Sequence, residues 1–319
     1  MIFIIKRIVI AIITMFLVSV FCFLVFSVIR GDPASLMAGT EASSEQLEAL
    51  REEMGLNRNI FIRYIDWLFN FLSGNQLHSY RYRGESVSLL IKQRLPVSFS
   101  LALLSILFIL LISIPLSLLT VGRKGSFVDY TVNFFTAAGI SAPGFFMGLL
   151  FIWIFGFTFK LFVPGLYIDL KENFLAFLGC LFFPALAIAI PNSAVMVKFL
   201  RGSLFMELNS DYVRTAKSKG ADSLYILRRH VFKNSVIPAI TVFGMIIADV
   251  FSGSIIIENV FSVPGIGRLL ITAISSRDYP LIQALMVYIA FIVVIANTLA
   301  DITILIIDPR IKLSNMEIQ

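Results

Sequence analysis

"VSFSLALLSILFILLISIPLSLLTV" occupies residues Val97–Val121 and contains no charged side chain. A helix needs about 20 residues to cross the hydrocarbon core of a bilayer, so this run of 25 residues is long enough to span a membrane. Water is absent from that core, so an apolar run must satisfy its backbone groups internally, as a helix does. The run predicts a transmembrane α-helix.

Five further runs share this character. Three of them carry no charge, and the other two carry one acidic residue each, Asp249 and Asp301. The five runs are Ile8–Ile29, Tyr130–Phe159, Phe174–Val197, Val236–Ile257 and Leu281–Ile307. The first is too long for the apolar core of a signal peptide and no small-residue cleavage pattern follows it, so we expect it to be retained. The sequence therefore predicts an all-α polytopic membrane protein with six transmembrane helices.

The composition agrees with this fold class. Hydrophobic residues make up 58% of the 319 residues, charged residues make up 14%, and the mean hydropathy is +0.90. A soluble domain carries about a quarter charged residues. A soluble protein is therefore excluded, and the basic net charge does not indicate nucleic-acid binding, which needs a soluble basic face.

The distribution of Lys and Arg predicts the orientation. With six spans, both termini lie on the same side as residues 122–129 and 198–235, and that side holds 14 Lys or Arg and 6 acidic residues. The opposite side holds 12 of each kind. Basic loops stay in the cytoplasm, so we expect both termini and the loop 198–235 to be cytoplasmic.

This topology divides the chain into four parts. They are the N-terminus and first helix (1–29), an extracytoplasmic region (30–96), a five-helix membrane core (97–307) and a cytoplasmic tail (308–319). In the extracytoplasmic region, Ser43 and Gln46 have the spacing of a capping box. Residues Phe61–Leu72 are amphipathic and aromatic, which favours a helix along the membrane interface. We expect this region to cap the spans.

Three residues inside the spans are candidates for lining a translocation path. An acidic residue within a span is costly and is therefore a functional hypothesis; Asp249 can line a path or pair with a cation on a partner subunit. Pro143 lies among three glycines between residues 139 and 148. Such breakers indicate either close helix packing or a water-filled cavity. Asn192 is the third candidate.

The sequence shows no signature of catalysis or of metal binding. Two glycines have the spacing of a phosphate-binding loop, but Phe145 and Phe146 stand where Lys and Ser or Thr are needed. Cys22 and Cys180 lack the spacing of a metal site or a disulfide framework, so we expect buried thiols. The chain is predicted to be neither an enzyme nor a cofactor-binding or metal-binding protein.

One long basic segment interrupts the apolar runs: "DYVRTAKSKGADSLYILRRHVFKNSVIPAI", Asp211–Ile240, with six Lys or Arg. Its two halves are each predicted to form a short helix, because Gly220 between them permits a sharp turn. Val213, Ala216 and Ala221 have small or modest side chains, so we expect that a partner surface can approach closely there. A loop attracted to lipid phosphates would explain the charge but not this pattern.

The segment resembles the cytoplasmic signature, or EAA loop, of ABC-importer permeases in the dipeptide, oligopeptide and nickel branch. That branch reads approximately D-Y-V-R-T-A-R-A-K-G and then R-H-x-x-x-N-x-x-x-P, and Arg229, His230, Asn234 and Pro238 match. Further matches are "GDPA" (31–34), "RLP" (94–96), "IIENVFSVPGIGRLL" (256–270), "RDYPL" (277–281) and "DPRIK" (308–312). Asp249 differs from the family pattern, in which we would expect an uncharged residue at this position.

The resemblance implies a type I ABC-importer permease in a bacterial cytoplasmic membrane. It implies assembly with a second homologous permease, two cytoplasmic ATP-binding subunits that hydrolyse ATP, and an extracytoplasmic substrate-binding protein, all within or against the lipid bilayer. The residues that it places at the ATPase contact are Asp211, Tyr212, Arg214, Ala216, Lys217, Gly220, Ala221, Asp222, Arg229 and His230.

The driving force and the cargo stay open in the sequence. An ion-gradient-driven secondary transporter is the alternative function, although the inverted repeats of such proteins are not visible. A bare nickel ion would need imidazole or thiolate ligands, yet no histidine lies in a predicted span and the two cysteines lie in different spans. We therefore expect the cargo to be a peptide or a metal already held by a small chelator.

Overall fold

The computed structural model of the chain describes residues 2–28, 43–53, 57–73, 78–82, 85–121, 123 and 125–307. These residues form twelve α-helices and two π-helical turns. The helices are α1 (Ile2–Val28), α2 (Ser44–Glu53), α3 (Ile60–Ser73), α4 (Val87–Val121), α5 (Phe127–Ser141), α6 (Gly144–Phe151), α7 (Phe174–Leu208), α8 (Asp211–Ser218), α9 (Ser223–Ile226), α10 (Phe232–Val260), α11 (Ile266–Ser275) and α12 (Tyr279–Ile307). The π-helical turns are Ile152–Thr158 and Leu227–Val231.

Five stretches of helix are long and apolar enough to cross a membrane, within the part of the chain that the structure describes. They lie in α1, α4, α7, the stretch Ser223–Val260 that contains α10, and α12. A sixth crossing is obtained when α5 and α6 are taken together as one broken span. The prediction of an all-α polytopic membrane fold is confirmed.

The third apolar run is broken at the helix breakers that its sequence contains. Between α5 and α6 the helix axis bends by 104°. Ala142 is extended, with φ −87° and ψ 119°, and Pro143 follows with φ −63° and ψ 142°. A proline ring sterically disfavours helical backbone angles at the preceding residue, and proline has no N–H to donate to the helical hydrogen-bond pattern. The bend therefore follows from Pro143.

The chain divides into two compact units, and each is described by itself. The first comprises residues 1–96 and 265–294, and the second comprises residues 97–264 and 295–319. α4 and α12 each contribute residues to both units. The boundaries at 29, 96 and 307 between the four topological parts remain a prediction. The predicted cytoplasmic tail, residues 308–319, lies outside the described residues.

In the first unit, α3 packs on α1 through aromatic side chains. Ser19 Oγ and Tyr64 Oη are 2.8 Å apart. The rings of Phe23 and Trp67 lie 5.8 Å apart, and Trp67 and Phe71 stack at 5.5 Å. The exposed face of α3 is also apolar, with Phe61 75% exposed. An apolar exposed face beside an aromatic packing face suits the predicted helix along the interface.

The predicted capping box at the start of α2 is confirmed. The backbone N–H of Ser43 donates to Gln46 Oε1 at 3.1 Å, and the N–H of Gln46 donates to Ser43 Oγ at 3.3 Å. Each side chain thus satisfies a backbone donor that the helix N-terminus leaves without an intrahelical partner.

A buried carboxylate joins two distant segments of the first unit. Asp278, which is fully buried, accepts hydrogen bonds from Ser79 Oγ and from the backbone N–H of Arg81 at 3.2 Å. It also accepts from the N–H of Leu281 in the first turn of α12 at 3.4 Å. Burial, with a smaller contribution from the Asp278 charge, raises the pKa of Tyr80 to about 12. The cluster fixes residues 79–82 against the start of α12.

In the second unit, several helices come close to their neighbours at glycines. A Cβ added to Gly139 would lie 2.8 Å from Ala194 Cβ, and one added to Gly244 would lie 2.6 Å from Ala300 Cβ. Gly148 faces the Phe261 ring in the same way, at 3.1 Å. These glycines let neighbouring helices approach closely. Close packing therefore explains Gly139 and Gly148, whereas Pro143 is exposed at the bend.

Candidate functional site

The basic segment folds as the sequence predicts, into two short helices joined by a turn. α8 begins at Asp211, two residues after the Asn209 that caps α7, and ends at Ser218. α9 begins at Ser223 and continues through the π-helical turn Leu227–Val231 into α10. We call Asp211–His230 the coupling segment.

The turn inside the coupling segment depends on Gly220, whose φ is +80°. Its N–H donates to Lys217 O at 2.9 Å, and the N–H of Ala221 donates to Ala216 O at 3.2 Å. This pair of bonds is a Schellman motif, which satisfies the last carbonyls of α8 and requires a left-handed residue at the glycine position. Gly220 is the residue type that adopts this conformation without a steric penalty.

The start of α9 is fixed by Asp222. Its carboxylate accepts hydrogen bonds from the backbone N–H groups of Leu224 at 2.9 Å and Tyr225 at 3.3 Å. An aspartate in this N-cap position satisfies donors that have no intrahelical partner, and its charge favours the helix N-terminus. The direction of α9 relative to α8 is therefore set by two adjacent features, the Gly220 turn and the Asp222 cap.

The inner face of the coupling segment is anchored in the core of the second unit. Val213, Ile226 and Val231 are each 1% exposed or less, and Ala216 and Ala221 pack beside them. Their burial holds both short helices against the ends of the long ones. The prediction that a partner surface approaches Val213 is therefore wrong, because this side chain faces the core.

A hydrogen bond strengthens this attachment. The hydroxyl of Tyr212 donates to Glu207 Oε2 at 2.6 Å. Burial, followed by the bond to Glu207, raises the pKa of the Tyr212 phenol. The hydroxyl is therefore neutral at physiological pH and remains a donor.

The outer face of the coupling segment combines exposed apolar and cationic groups. Leu224 and Tyr225 are 52% and 56% exposed, and with Asp222, Arg228 and Arg229 they line a shallow depression. The ring of His230 lies edge-to-face against Tyr225 at 5.9 Å. Tyrosine and arginine side chains are enriched where proteins bind one another. The surface is therefore suited to protein docking.

The remaining predicted contact residues lie on α8. Lys217 is exposed, and Arg214 pairs with Asp211 at 3.6 Å, with exposures of 77% and 97%. Such an exposed pair contributes little to stability. Its charges are available to a partner.

The three candidate path residues lie on separate elements. Asp249 is exposed on α10, and Pro143 is exposed at the α5–α6 break. Asn192 is half-buried on α7 and donates to Ile188 O at 2.9 Å. No hydrogen bond joins one of the three to another within the described residues. They are separate candidates and do not form a single cluster.

Sequence reasoning missed a polar network between α5 and α7. Arg201 binds Asp129 and Asn133, and the Ser126 hydroxyl caps α5 by accepting from the N–H of Asp129 at 3.3 Å. The three-residue spacing of Ser126 and Asp129 is a capping signal that was available in the sequence. The partner of Arg201 was not, because it lies 72 residues away.

The two cysteines lie in different helices. Cys22 is buried in α1, and Cys180 is half-buried in α7. Across the described ranges, no three His, Cys, Asp or Glu side chains come close enough together to hold a metal ion.

Comparison with protein families decides the class. Residues 113–313 match the family described as "Binding-protein-dependent transport system inner membrane component", and residues 1–102 match its N-terminal membrane component. The chain belongs to this permease family. It is a permease subunit of an ABC importer and a multi-pass protein of the inner membrane.

Curated relatives of this permease cover nearly its whole length. It is 34% identical over 311 residues to a Sinorhizobium fredii protein named as a probable peptide ABC transporter permease, covering 98% of this chain and 99% of the relative. It is likewise 34% identical over 312 residues to the oligopeptide transport system permease protein AppB of Bacillus subtilis, covering 97% and 99%. The resemblance stated from the sequence is confirmed.

Proposed function

We propose that this permease forms half of the translocation path of an ATP-driven importer of dipeptides or oligopeptides. The names of the relatives support this cargo, since both describe peptide transport. A metal held by a small organic chelator is the other cargo that we propose for this chain, because no three His, Cys, Asp or Glu side chains among the described residues lie close enough together to hold a bare ion. The other half of the path belongs to a second homologous permease.

The coupling segment is the part that receives the force of ATP hydrolysis. The observation that carries this proposal is its two-sided construction: Ile226 and Val231 are buried in the core, while Leu224 and Tyr225 are exposed beside Arg228. One face is fixed to the transmembrane helices and the other is free to bind a partner. Each of two cytoplasmic ATP-binding subunits would receive such a segment, one from each permease, and a rigid-body movement would pass into the helices.

The orientation follows from charge. We propose that both termini and the coupling segment are cytoplasmic, because that side holds 14 Lys or Arg against 6 acidic residues. Residues 30–96 would then face the extracytoplasmic substrate-binding protein, which delivers the cargo.

The test is peptide uptake by the assembled importer in sealed vesicles that contain the binding protein. Uptake should require internal ATP and both ATP-binding subunits. Leu224→Asp together with Tyr225→Asp should abolish both uptake and co-purification of the ATP-binding subunits, because two charges replace the apolar part of the docking surface. Leu170→Asp is the matched control, since Leu170 is 39% exposed and lies outside the coupling segment.

Two results would contradict the proposal. Uptake that persists without the ATP-binding subunits and disappears when the ion gradient is dissipated would indicate a secondary transporter. Normal co-purification of the ATP-binding subunits with the Leu224→Asp, Tyr225→Asp variant would show that they dock elsewhere.

A further inference from the structure

The exposed face of α10 carries four polar residues, distributed along the length of a membrane span. The residues on this face are Thr241, Met245, Asp249, Ser252, Ile256 and Asn259, and all six are exposed. At 3.6 residues per turn they fall within an arc of about 80° and extend over about 27 Å of helix. That length is close to the thickness of the hydrocarbon core. We call this face the polar stripe.

Two other spanning helices, α1 and α4, expose a different kind of face. On α4 the exposed residues at the same spacing are apolar, with Leu103, Leu107 and Leu111 between 50% and 59% exposed. On α1 the large exposed side chains are also apolar, including Leu17 at 59% and Phe21 at 67%. These faces suit contact with lipid. The polar stripe does not, because a carboxylate facing hydrocarbon is costly.

Helix packing among the described residues does not use the polar stripe. α10 approaches α12 through Gly244, where an added Cβ would lie 2.6 Å from Ala300 Cβ, and Gly244 is itself buried. Asp249 has neither a hydrogen bond nor an ion pair among the described residues. The close-packing face of α10 is therefore already occupied, and the charged face is open.

From this contrast we infer that the polar stripe faces the water-filled path and that Asp249 binds a cationic amino group of the cargo. The inference rests on the proposed function and adds the charge preference of the path. In a water-filled path, water and cargo would supply hydrogen-bond partners to Thr241, Ser252 and Asn259 as well as to Asp249. A salt bridge to the second permease would explain Asp249 but not the other three polar residues. The stripe carries one negative charge and no positive charge, so it complements an ammonium group. A peptide with a free amino terminus carries one at neutral pH.

The first experiment measures charge selection without transport. Ser252→Cys is introduced with Cys22→Ala and Cys180→Ala into the assembled importer in membrane vesicles. It is then labelled with trimethylammonioethyl and sulfonatoethyl methanethiosulfonate. Ser252 lies one helical turn from Asp249, so the cationic reagent should react faster, and Asp249→Asn should lower the ratio of the two rates about tenfold. Asp249→Glu should preserve the ratio. Leu107→Cys on the apolar face of α4 should react with neither reagent.

Two labelling results would overturn the inference. In the first, Ser252→Cys and a second variant, Thr241→Cys, are both as unreactive as Leu107→Cys. That result would place the stripe against lipid or a partner helix. The other is a rate ratio that does not change when Asp249 is replaced by Asn.

The second experiment measures uptake of one tripeptide with a free amino terminus and of its N-acetylated form. Asp249→Asn should raise the KM for the free form several-fold and leave that for the acetylated form unchanged. Equal effects on the two forms would overturn the amino-group assignment. If the wild-type importer transports neither peptide, the proposed cargo is wrong, and the labelling ratio alone decides whether the stripe lines a cation-selective path.

Discussion

The carboxylate of Asp129 on α5 lies 2.7 Å from the guanidinium of Arg201 on α7, and the two side chains are only 7% and 20% exposed. The backbone N–H of Gly125 donates to the same carboxylate at 3.0 Å, and the guanidinium lies 5.1 Å from the ring centroid of Phe205. The pair fastens the beginning of α5 to the last two turns of α7. The coupling segment starts directly beyond that point.

Replacing Asp129 by Asn should destabilise the permease, because Arg201 would keep its charge in a largely buried place without a counter-ion. We expect the free energy of unfolding to fall by about 3 kcal/mol. The measurement is denaturant unfolding of the purified chain in detergent. Asp66→Asn is the control, since Asp66 pairs with Arg58 at 3.4 Å where both side chains are more than half exposed. Equal losses in the two variants would show that burial adds nothing to the Asp129–Arg201 pair.

Replacing Gly220 by Val should reduce ATPase binding and uptake while the membrane fold survives. The backbone there has φ +80°, and an added Cβ would have no neighbour within 4 Å, so the penalty comes from the backbone alone. It amounts to about 1–2 kcal/mol in the left-handed region. Gly220→Asn is the matched control, because Asn tolerates this conformation better. Co-purification of the ATP-binding subunits and uptake should both decrease from the wild type to Gly220→Asn and further to Gly220→Val. Uptake at the wild-type rate by Gly220→Val would refute a role for the turn.

Single cysteines should report the orientation of the permease. Ser44→Cys at the start of α2 and Ser223→Cys at the start of α9 are placed in a background that lacks Cys22 and Cys180. Both serines are exposed. In intact cells an impermeant thiol reagent should label the cysteine at 44, whereas the one at 223 should react only after the membrane is opened. Labelling of both from outside would invalidate the predicted topology.

The first unit should lose stability at alkaline pH because Tyr80 loses its proton there. Its pKa is raised from 10 to about 12, mainly by burial, so the folded protein holds this proton more tightly than the unfolded chain. The corresponding stability is fully present below pH 10 and is lost as the pH rises towards 12. In thermal unfolding scans, Tyr80→Phe should reduce the difference in midpoint between pH 9 and the highest pH tested. An identical pH profile in the variant would contradict the assignment to Tyr80.

The elements that the sequence predicted are those with local signals. The uncharged run Val97–Val121 became the greater part of α4, because a span needs no information beyond its own apolar residues. Gly220 predicted the turn of the coupling segment, since a left-handed cap is a property of a single position. Ser43 and Gln46 predicted the N-terminus of α2 for the same reason.

The features that the sequence did not predict are contacts between distant segments. Asp278 is 199 residues from Ser79, and nothing near either residue indicates the other. Of the polar stripe, the sequence indicated only Asp249. The exposure of Thr241, Ser252 and Asn259 depends on which faces of α10 are covered by neighbouring helices. The bend at Pro143 was signalled by breakers, but its angle of 104° was not.

α9, the π-helical turn and α10 form one stretch of 38 residues, Ser223–Val260, which is about 57 Å long at 1.5 Å per residue. One end carries Leu224 of the docking surface and the other end carries Asn259 of the polar stripe. Continuous helix therefore joins these two surfaces. If the stretch stays straight, a tilt of about 5° at the end that carries Leu224 displaces the far end by about 5 Å, roughly the rise of one helical turn. Bending at the π-helical turn or at Pro238 would absorb that displacement, so the stiffness of these two joints sets how much of a movement by a bound partner reaches the end of the stretch that carries Asn259.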